Sequence, residues 1–242
     1  MKMNLDGIQT IAEIARQYPA AVPVFEAFGI DYCCGGNRPL EQACAKQKVS
    51  LNLVLSHLSS ALVTRPSEDE RHWMVCPLAE LSAYIIEQHH AYARRELPRL
   101  TALAAKVETR HGHMYPETHQ ICELVAAMSS EMVTHMLKEE QALFPRLKMV
   151  EEAAQSGAAL PPASYGTLVN PIRHMMSDHD DTGQALKTLR MLTRDYQPPA
   201  DACMSFQALY HGLEALEKDL HQHIHLENNI LFPRAMDFER VH

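Results

Sequence analysis

Four long stretches of the chain repeat apolar residues at steps of three and four. The last of them shows the repeat most clearly, because Leu209, Leu213, Leu216 and Leu220 follow one another at this spacing. The repeat is that of one face of an α-helix. The stretches are 78–106, 117–150, 170–194 and 201–236, and RHGHMYPE, the Gly/Ala/Pro-rich 153–167 and DYQPPA separate them. Four long helices joined by modest loops predict a four-helix bundle.

The first part of the chain has a different pattern, with shorter periodic segments. Thr10 and Glu13 have the spacing of a capping box for a first short helix, and Gly29 ends a second one. The turn-rich IDYCCGGNRP follows, and then two more short helices. We therefore predict a small helical domain over 1–62 with a core of its own, a linker over 63–77, and the bundle over 78–242.

Composition supports an all-α fold and limits the classes of function. The chain has only 9 Gly and is rich in helix-forming residues, and we find no alternating strand pattern. A net charge of −8 argues against nucleic acid as a partner. We find no secretory signal and no apolar run long enough for a membrane span. Six cysteines without a disulfide framework fit a reducing compartment, so we expect a cytoplasmic protein.

Two segments of the bundle repeat each other. HMLKEEQALFPR at 135–146 and HIHLENNILFPR at 223–234 share His, Glu, Leu, Phe, Pro and Arg at the same positions, 88 residues apart. This indicates an internal duplication of a two-helix unit. Each copy places a His and a Glu four residues apart on an apolar face, where a bare carboxylate is costly unless it is paired or bound to a metal.

The duplication predicts matching histidines on the other two helices. His179 lies among apolar residues of the third helix, and the first helix offers His89 or His90, which spacing alone does not separate. His90 is 45 residues before His135, and His179 is 44 residues before His223. We therefore predict a metal centre midway along the bundle. Its six ligands are His90 (or its neighbour His89), His135, Glu139, His179, His223 and Glu227.

The types of ligand indicate the metal. Two carboxylates from different helices can bridge a pair of ions, which leaves two imidazoles for each ion. A mixed nitrogen and oxygen set suits iron, with manganese next, whereas zinc usually takes fewer carboxylates. Among neighbouring residues, Glu131 and Asp178 are candidates to orient an imidazole from outside. We expect His221 and His225 to lie on a solvent face with Glu217, Asn228 and Asn229.

The ligand pattern resembles that of the hemerythrin-like family. Together with IDYCCGG at 30–36, the two H-x3-E…LFPR copies resemble the repair-of-iron-centres family, di-iron proteins that protect or restore iron–sulfur clusters after nitric oxide or peroxide stress. The resemblance covers about 10–236. It implies two non-haem iron ions with an oxo-type bridge, His90 rather than His89 as a ligand, and Glu139 and Glu227 as bridges.

The vicinal thiols of Cys33 and Cys34 form the second candidate site. A disulfide between adjacent residues is strained, because their Cα atoms are closer than a disulfide prefers. We expect two free thiols in an exposed turn that hold iron or nitrosyl transiently, or react with a partner protein.

These features lead to one expected function and two alternatives. We expect a protein that donates iron to damaged iron–sulfur proteins, or intercepts nitric oxide and oxygen species there, and forms a homodimer. The first alternative is an enzyme that reduces nitric oxide or activates oxygen at the same site. The second is an oxygen binder or sensor like hemerythrin.

Overall fold

The computed structural model describes residues 6–61, 73–159 and 166–240. Within these ranges the chain is helical and has no β-strand; Thr10 and Pro39 form one isolated bridge. This confirms the all-α prediction. Most of the predicted linker, 63–72, lies outside the described residues, and 73–77 form the turn that leads into the bundle. No described helix is long and apolar enough to cross a lipid bilayer.

Four short helices form the amino-terminal part. The first begins with the predicted capping box, because Thr10 Oγ1 accepts a hydrogen bond from the Glu13 amide at 3.2 Å and the Glu13 carboxylate accepts one from the Thr10 amide at 2.9 Å. The helices are α1 (Ile11–Gln17), α2 (Val22–Ala27), α3 (Leu40–Gln47) and α4 (Leu51–Ala61), with a 3₁₀ turn at Pro19–Ala21. We call this part, 6–61, the module.

Four longer helices form the bundle, and three of them contain a turn of π-helix. The first consists of Leu78–Ile85, the π turn Ile86–His90 and Ala91–His111. The second consists of Glu117–Lys138, the π turn Glu139–Leu143 and Phe144–Ser156. The third is Val169–Leu192. The fourth consists of Met204–Leu226, the π turn Glu227–Leu231 and Phe232–Arg240.

The π turns coincide with the candidate ligands, since each of the three contains one of them. A π turn adds one residue to a helical turn, and such turns are frequent at functional sites. Here the turns change which residues face the core at this level of the bundle.

The apolar core of the bundle has two parts, one on each side of this level. One part includes Leu97, Val125 and Leu213, and the other includes Leu81, Leu147 and Leu231. The polar ligand residues lie between them along every helix. The centre therefore sits midway along the bundle, between two apolar layers.

The module packs against the bundle and shares its core with it. Ile224 of the fourth bundle helix is 1 % exposed and belongs to the apolar cluster that includes Ile11, Phe25 and Tyr32 of the module. Helix α1 contacts the π turn of the fourth bundle helix. The apolar core of the module is thus made almost entirely of its own residues, and one bundle side chain, Ile224, completes it.

Candidate metal centre

The bundle brings all six sequence-predicted ligand residues together in its interior. Each of them is at most 2 % exposed. The first and third helices contribute one residue each, and the second and fourth contribute two each, as the duplication predicts. The six residues are His90, His135, Glu139, His179, His223 and Glu227.

These residues form two groups of four that share both carboxylates. One group is His90, His223, Glu139 and Glu227, and the other is His135, His179, Glu139 and Glu227. In each group the candidate ligand atoms all lie within 4.8 Å of one another. Each group takes one imidazole from each half of the duplicated bundle, so both halves are needed to complete either group.

The distances between nitrogens fit shared ions. His90 Nε2 lies 3.1 Å from His223 Nε2, and His179 Nε2 lies 3.0 Å from His135 Nε2. Two nitrogens that bind one ion at about 2.1 Å and at right angles lie about 3.0 Å apart. Each pair of imidazoles is thus spaced as two ligands of one ion.

The carboxylates lie between these imidazole pairs. Glu227 Oε1 is 3.1 Å from His223 Nε2, and Glu227 Oε2 is 3.1 Å from His179 Nε2. Glu139 Oε2 is 3.4 Å from His90 Nε2, and its Oε1 is 3.3 Å from His135 Nε2. Each glutamate therefore directs one oxygen to each group.

Several of these buried oxygens have no hydrogen-bond partner among the described residues. They are Glu139 Oε1, Glu139 Oε2 and Glu227 Oε2. The contacts of Glu139 with the imidazoles are close but do not have hydrogen-bond geometry. A buried carboxylate oxygen without a partner is costly, and bound cations would remove that cost. The donor set therefore fits a metal centre.

The pKa values of the two glutamates are also those of a site that can bind cations. Burial raises the pKa of both carboxyls, and for Glu139 the charge of Glu227 raises it further. The neighbouring imidazoles outweigh these effects: His135 holds the pKa of Glu139 below its ordinary value, and His223 and His179 hold that of Glu227 well below it. Both carboxyls therefore favour the ionised form, which is the form that binds a cation.

Three of the four imidazoles have a partner on the nitrogen that faces away from the centre. Glu140 accepts a hydrogen bond from His90 Nδ1 at 2.6 Å, and Asn228 Oδ1 accepts one from His179 Nδ1 at 2.8 Å. Asp178 Oδ2 lies 3.2 Å from His135 Nδ1. Such partners fix the tautomer that leaves Nε2 free to bind a metal. Asp178 thus has the position expected of it, whereas the sequence analysis missed Glu140 and Asn228.

Two phenylalanines from the repeated LFPR motifs cover imidazoles of the centre. Phe144 stacks on His90 with ring centroids 5.8 Å apart, and Phe232 stacks on His179 with centroids 6.1 Å apart. Each phenylalanine follows the π turn of its own helix. The two phenylalanines of the repeat thus make equivalent ring contacts with equivalent histidines.

The structure separates His89 from His90. His90 faces the centre and is fully buried, while His89 points toward the fourth helix, where its Nδ1 lies 3.0 Å from Asp219 Oδ1. Glu131, the other expected neighbour of the imidazoles, lies exposed on the outer side of the second helix. Glu131 is therefore a residue of the bundle surface.

The prediction of a solvent face at His221 and His225 is wrong. His225, Asn228 and Asn229 are at least nine-tenths buried, and His221 is half-buried. The module covers this face, and the Tyr32 ring lies 5.4 Å from that of His225. The polar residues of this helix face predict contact with solvent, but they contact the backbone of the module. Asn228 donates to Cys33 O and Asn229 donates to Tyr32 O.

The same docking buries the thiol turn. All six cysteines are free. Cys33 is 4 % exposed, and Cys34 is half-buried against the third bundle helix, with its Sγ 3.4 Å from the carbonyl of His179. The expectation of an exposed turn is therefore wrong, since the turn is the part of the module that packs against the bundle beside the centre.

Comparison with known families agrees with this two-part organisation. Residues 81–235 match the hemerythrin HHE cation-binding domain, and residues 7–62 match a domain of unknown function, DUF542. The first match contains all six candidate ligands, and the second contains both vicinal cysteines.

Comparison with known proteins extends the likeness to nearly the whole chain. A probable iron-sulfur cluster repair protein of Haemophilus influenzae is 35% identical over 95% of this chain and 97% of its own length. The iron-sulfur cluster repair protein YtfE of Musicola paradisiaca is 35% identical over 94% of this chain and 96% of its own. YtfE of Cronobacter sakazakii is 35% identical over 96% and 98%. This chain therefore belongs to the family of hemerythrin-like iron-sulfur cluster repair proteins.

Proposed function

We propose that this chain holds two iron ions between its four imidazoles and two glutamates, and that it repairs damaged iron–sulfur clusters. The observation that carries the proposal is the pair of four-residue groups that share both carboxylates. The names of the relatives support the repair function. Damaged iron–sulfur proteins would be its clients.

The ligand set favours iron over zinc. Each group offers two nitrogens and one oxygen from each of two shared glutamates, which is the mixed donor set that suits iron. A structural zinc site usually has four ligands of its own, often thiolates. When bound, iron would supply redox chemistry and open coordination positions for small ligands such as nitric oxide or oxygen.

The chain's own residues would hold the ions in a dry and oriented site. Glu140, Asp178 and Asn228 orient three imidazoles, and Phe144 and Phe232 exclude water from two of them. Because Glu139 and Glu227 are each shared by both groups, the loss of either one weakens both sites at once. This arrangement suits a protein that releases iron after a change at its bridging ligands.

Metal analysis with Mössbauer spectroscopy tests the di-iron assignment. Wild-type protein should contain two iron ions per chain, one for each group, and they should be antiferromagnetically coupled when oxidised. Both His135→Ala and Glu227→Ala should lose the coupling. His135→Ala removes a ligand of one ion, and Glu227→Ala removes a residue that both groups share. Two coupled irons in either variant, or zinc in the wild type, would contradict the assignment.

Release of iron to a chelator tests donation. Iron(II) binds the bridging carboxylates more weakly than iron(III) does, so the reduced protein should lose iron to a chelator much faster than the oxidised protein. The measurement is the absorbance of the chelate over time at both oxidation states. Equally slow release from both states would count against an iron donor.

A further inference from the structure

A second group of metal-binding side chains lies outside the centre, at the thiol turn of the module. Candidate ligand atoms of Asp31, Cys33 and Cys34 all lie within 4.8 Å of one another. These residues line a cavity of about 790 Å³ between the module and the third and fourth bundle helices. The turn therefore offers three donor atoms at the wall of a space large enough for a further ligand.

The two thiols are spaced for one ion. Cys33 Sγ and Cys34 Sγ are 3.8 Å apart, far beyond the bond length of about 2.05 Å in a disulfide. Two thiolates that bind one tetrahedral ion at about 2.3 Å lie about 3.8 Å apart. The observed separation is therefore compatible with two ligands of one such ion.

The Asp31 carboxylate is spaced for the same ion. Its Oδ1 lies 3.5 Å from Cys33 Sγ, and a carboxylate oxygen and a thiolate on one tetrahedral ion lie about 3.6 Å apart. The Cys34 and Gly35 amides each donate a hydrogen bond to this oxygen at 3.0 Å. The carboxylate is thus held in place before any ion binds, and the Cys33 thiol now directs its proton to that oxygen.

We propose that Asp31, Cys33 and Cys34 form a second metal site, which binds a divalent transition-metal ion of intermediate softness through two thiolates and one carboxylate. Binding of the ion releases both thiol protons to solvent. The fourth position faces the cavity, where it is open to an exogenous ligand. The ion we expect is iron(II) that moves from the centre to a client protein. Only this choice of ion rests on the proposed function.

The Asn228 side chain connects the site to the centre, in addition to the contact of Cys34 Sγ with the His179 carbonyl. Asn228 donates to the Cys33 carbonyl at 3.2 Å and accepts from His179 Nδ1 at 2.8 Å. Gly183, one turn after His179, lets the thiol approach, since a Cβ there would lie 3.1 Å from Cys34 Sγ. An ion at the turn is therefore bound next to a ligand helix of the centre.

Titration of the reduced, iron-loaded protein with cobalt(II) under anaerobic conditions tests the site. Thiolate-to-cobalt charge-transfer absorption reports only sulfur ligands, so cobalt at the histidine and glutamate centre does not contribute to it. Wild-type protein should give this band at about one cobalt per chain, with the intensity of two thiolates. Cys33→Ser and Cys34→Ser should each abolish the two-thiolate band.

Asp31→Asn tests the carboxylate. Asn keeps an Oδ1 that accepts the two amide hydrogen bonds but loses the charge, so cobalt affinity should fall at least about tenfold. Lys187→Met removes the 2.7 Å ion pair of Asp31 without removing a ligand, and it should retain the band. Cys203→Ser is a further control, because Cys203 has its own imidazole neighbour, His111, at 3.2 Å.

The outcomes separate this site from the proposed function. No band in the wild type, a band that survives in both cysteine variants, or an unchanged affinity in Asp31→Asn would overturn the proposal. The iron content of each variant shows that the bundle has folded. A protein that binds cobalt at the turn but donates no iron would contradict the repair function and leave this site intact.

Discussion

At the scale of single residues, one choice could not be made from helix spacing alone. His89 and His90 are adjacent, both are buried, and spacing alone allows either as a ligand. The π turn at Ile86–His90 directs the second of them to the centre and the first to Asp219. A regular helix pattern does not contain that turn, so resemblance to a family had to supply the answer.

Replacement of each of these histidines by alanine gives a matched pair of variants. Under the proposed function, His90→Ala should lose about half of the bound iron, because it removes one of two imidazoles from one group. His89→Ala should keep the full iron content, since its ring pairs with Asp219. Elemental analysis of the purified proteins measures the difference, and helical circular dichroism controls for folding. Equal iron loss in both variants would contradict the assignment.

The other candidate ligands could be selected from the sequence because each spacing occurs twice, once in each half of the duplication. Their outer partners could not. Glu140 and Asn228 each follow a candidate ligand glutamate, and each accepts a hydrogen bond from an imidazole Nδ1. One is a carboxylate and the other an amide, so residue type does not reveal this shared role. Glu140 and Asn228 occupy equivalent positions in the two repeats. That equivalence identifies them only when the structure shows that an imidazole faces each of them.

At the scale of elements, the sequence predicted the helices well and their faces less well. Expected helix positions agree with the structure, although the first helix continues to His111 and the second to Ser156. The polar face of the fourth helix was assigned to solvent because it carries histidines and asparagines. The module covers it, and the long-range contact that does so leaves no periodic signal in either segment.

One buried histidine in this interface makes a prediction about pH. Burial lowers the pKa of His225 to about 4, and its Nδ1 accepts a hydrogen bond from Asn229 Nδ2 at 2.8 Å. The fold thus favours neutral His225. Its contribution to stability is complete above the unfolded pKa of about 6.5 and is lost as the pH falls from there toward about 4.

The variant His225→Asn tests this prediction, because the amide oxygen of Asn can take the place of Nδ1 as an acceptor. Between pH 6.5 and 4, the free energy of unfolding of the wild type should fall more steeply than that of the variant. The difference should approach about 1.4 kcal/mol per pH unit. Urea unfolding across this range measures it, and parallel curves for the two proteins would contradict it.

At the scale of the whole molecule, the module and the bundle form one packed unit through Ile224. This side chain is 1 % exposed within the module's apolar cluster. Ile224→Ala should lower the free energy of unfolding by about 2 to 5 kcal/mol, as is usual for a buried isoleucine. It should also speed the labelling of Cys34, because the module then opens more often.

Met204→Ala is the matched control. Met204 belongs to the same bundle helix but is 78 % exposed, so its replacement should change the free energy of unfolding by no more than about 0.5 kcal/mol. Urea unfolding and the rate of thiol labelling, measured on both variants, check the prediction. If the two variants behaved alike, Ile224 would not join the module to the bundle.

The contact made by Asn228 has a consequence for how such proteins can change over generations. The Asn228 amide hydrogen-bonds both to the backbone of the cysteine turn in the module and to the His179 imidazole in the bundle. A module transplanted from a relative would have to present its carbonyl at the same spot, or the histidine would lose its anchor. We therefore expect the sequences of the module and the bundle to change in a correlated way. A chimaera that joins a module and a bundle without preserving the Asn228 contacts should fold with a misaligned His179 imidazole.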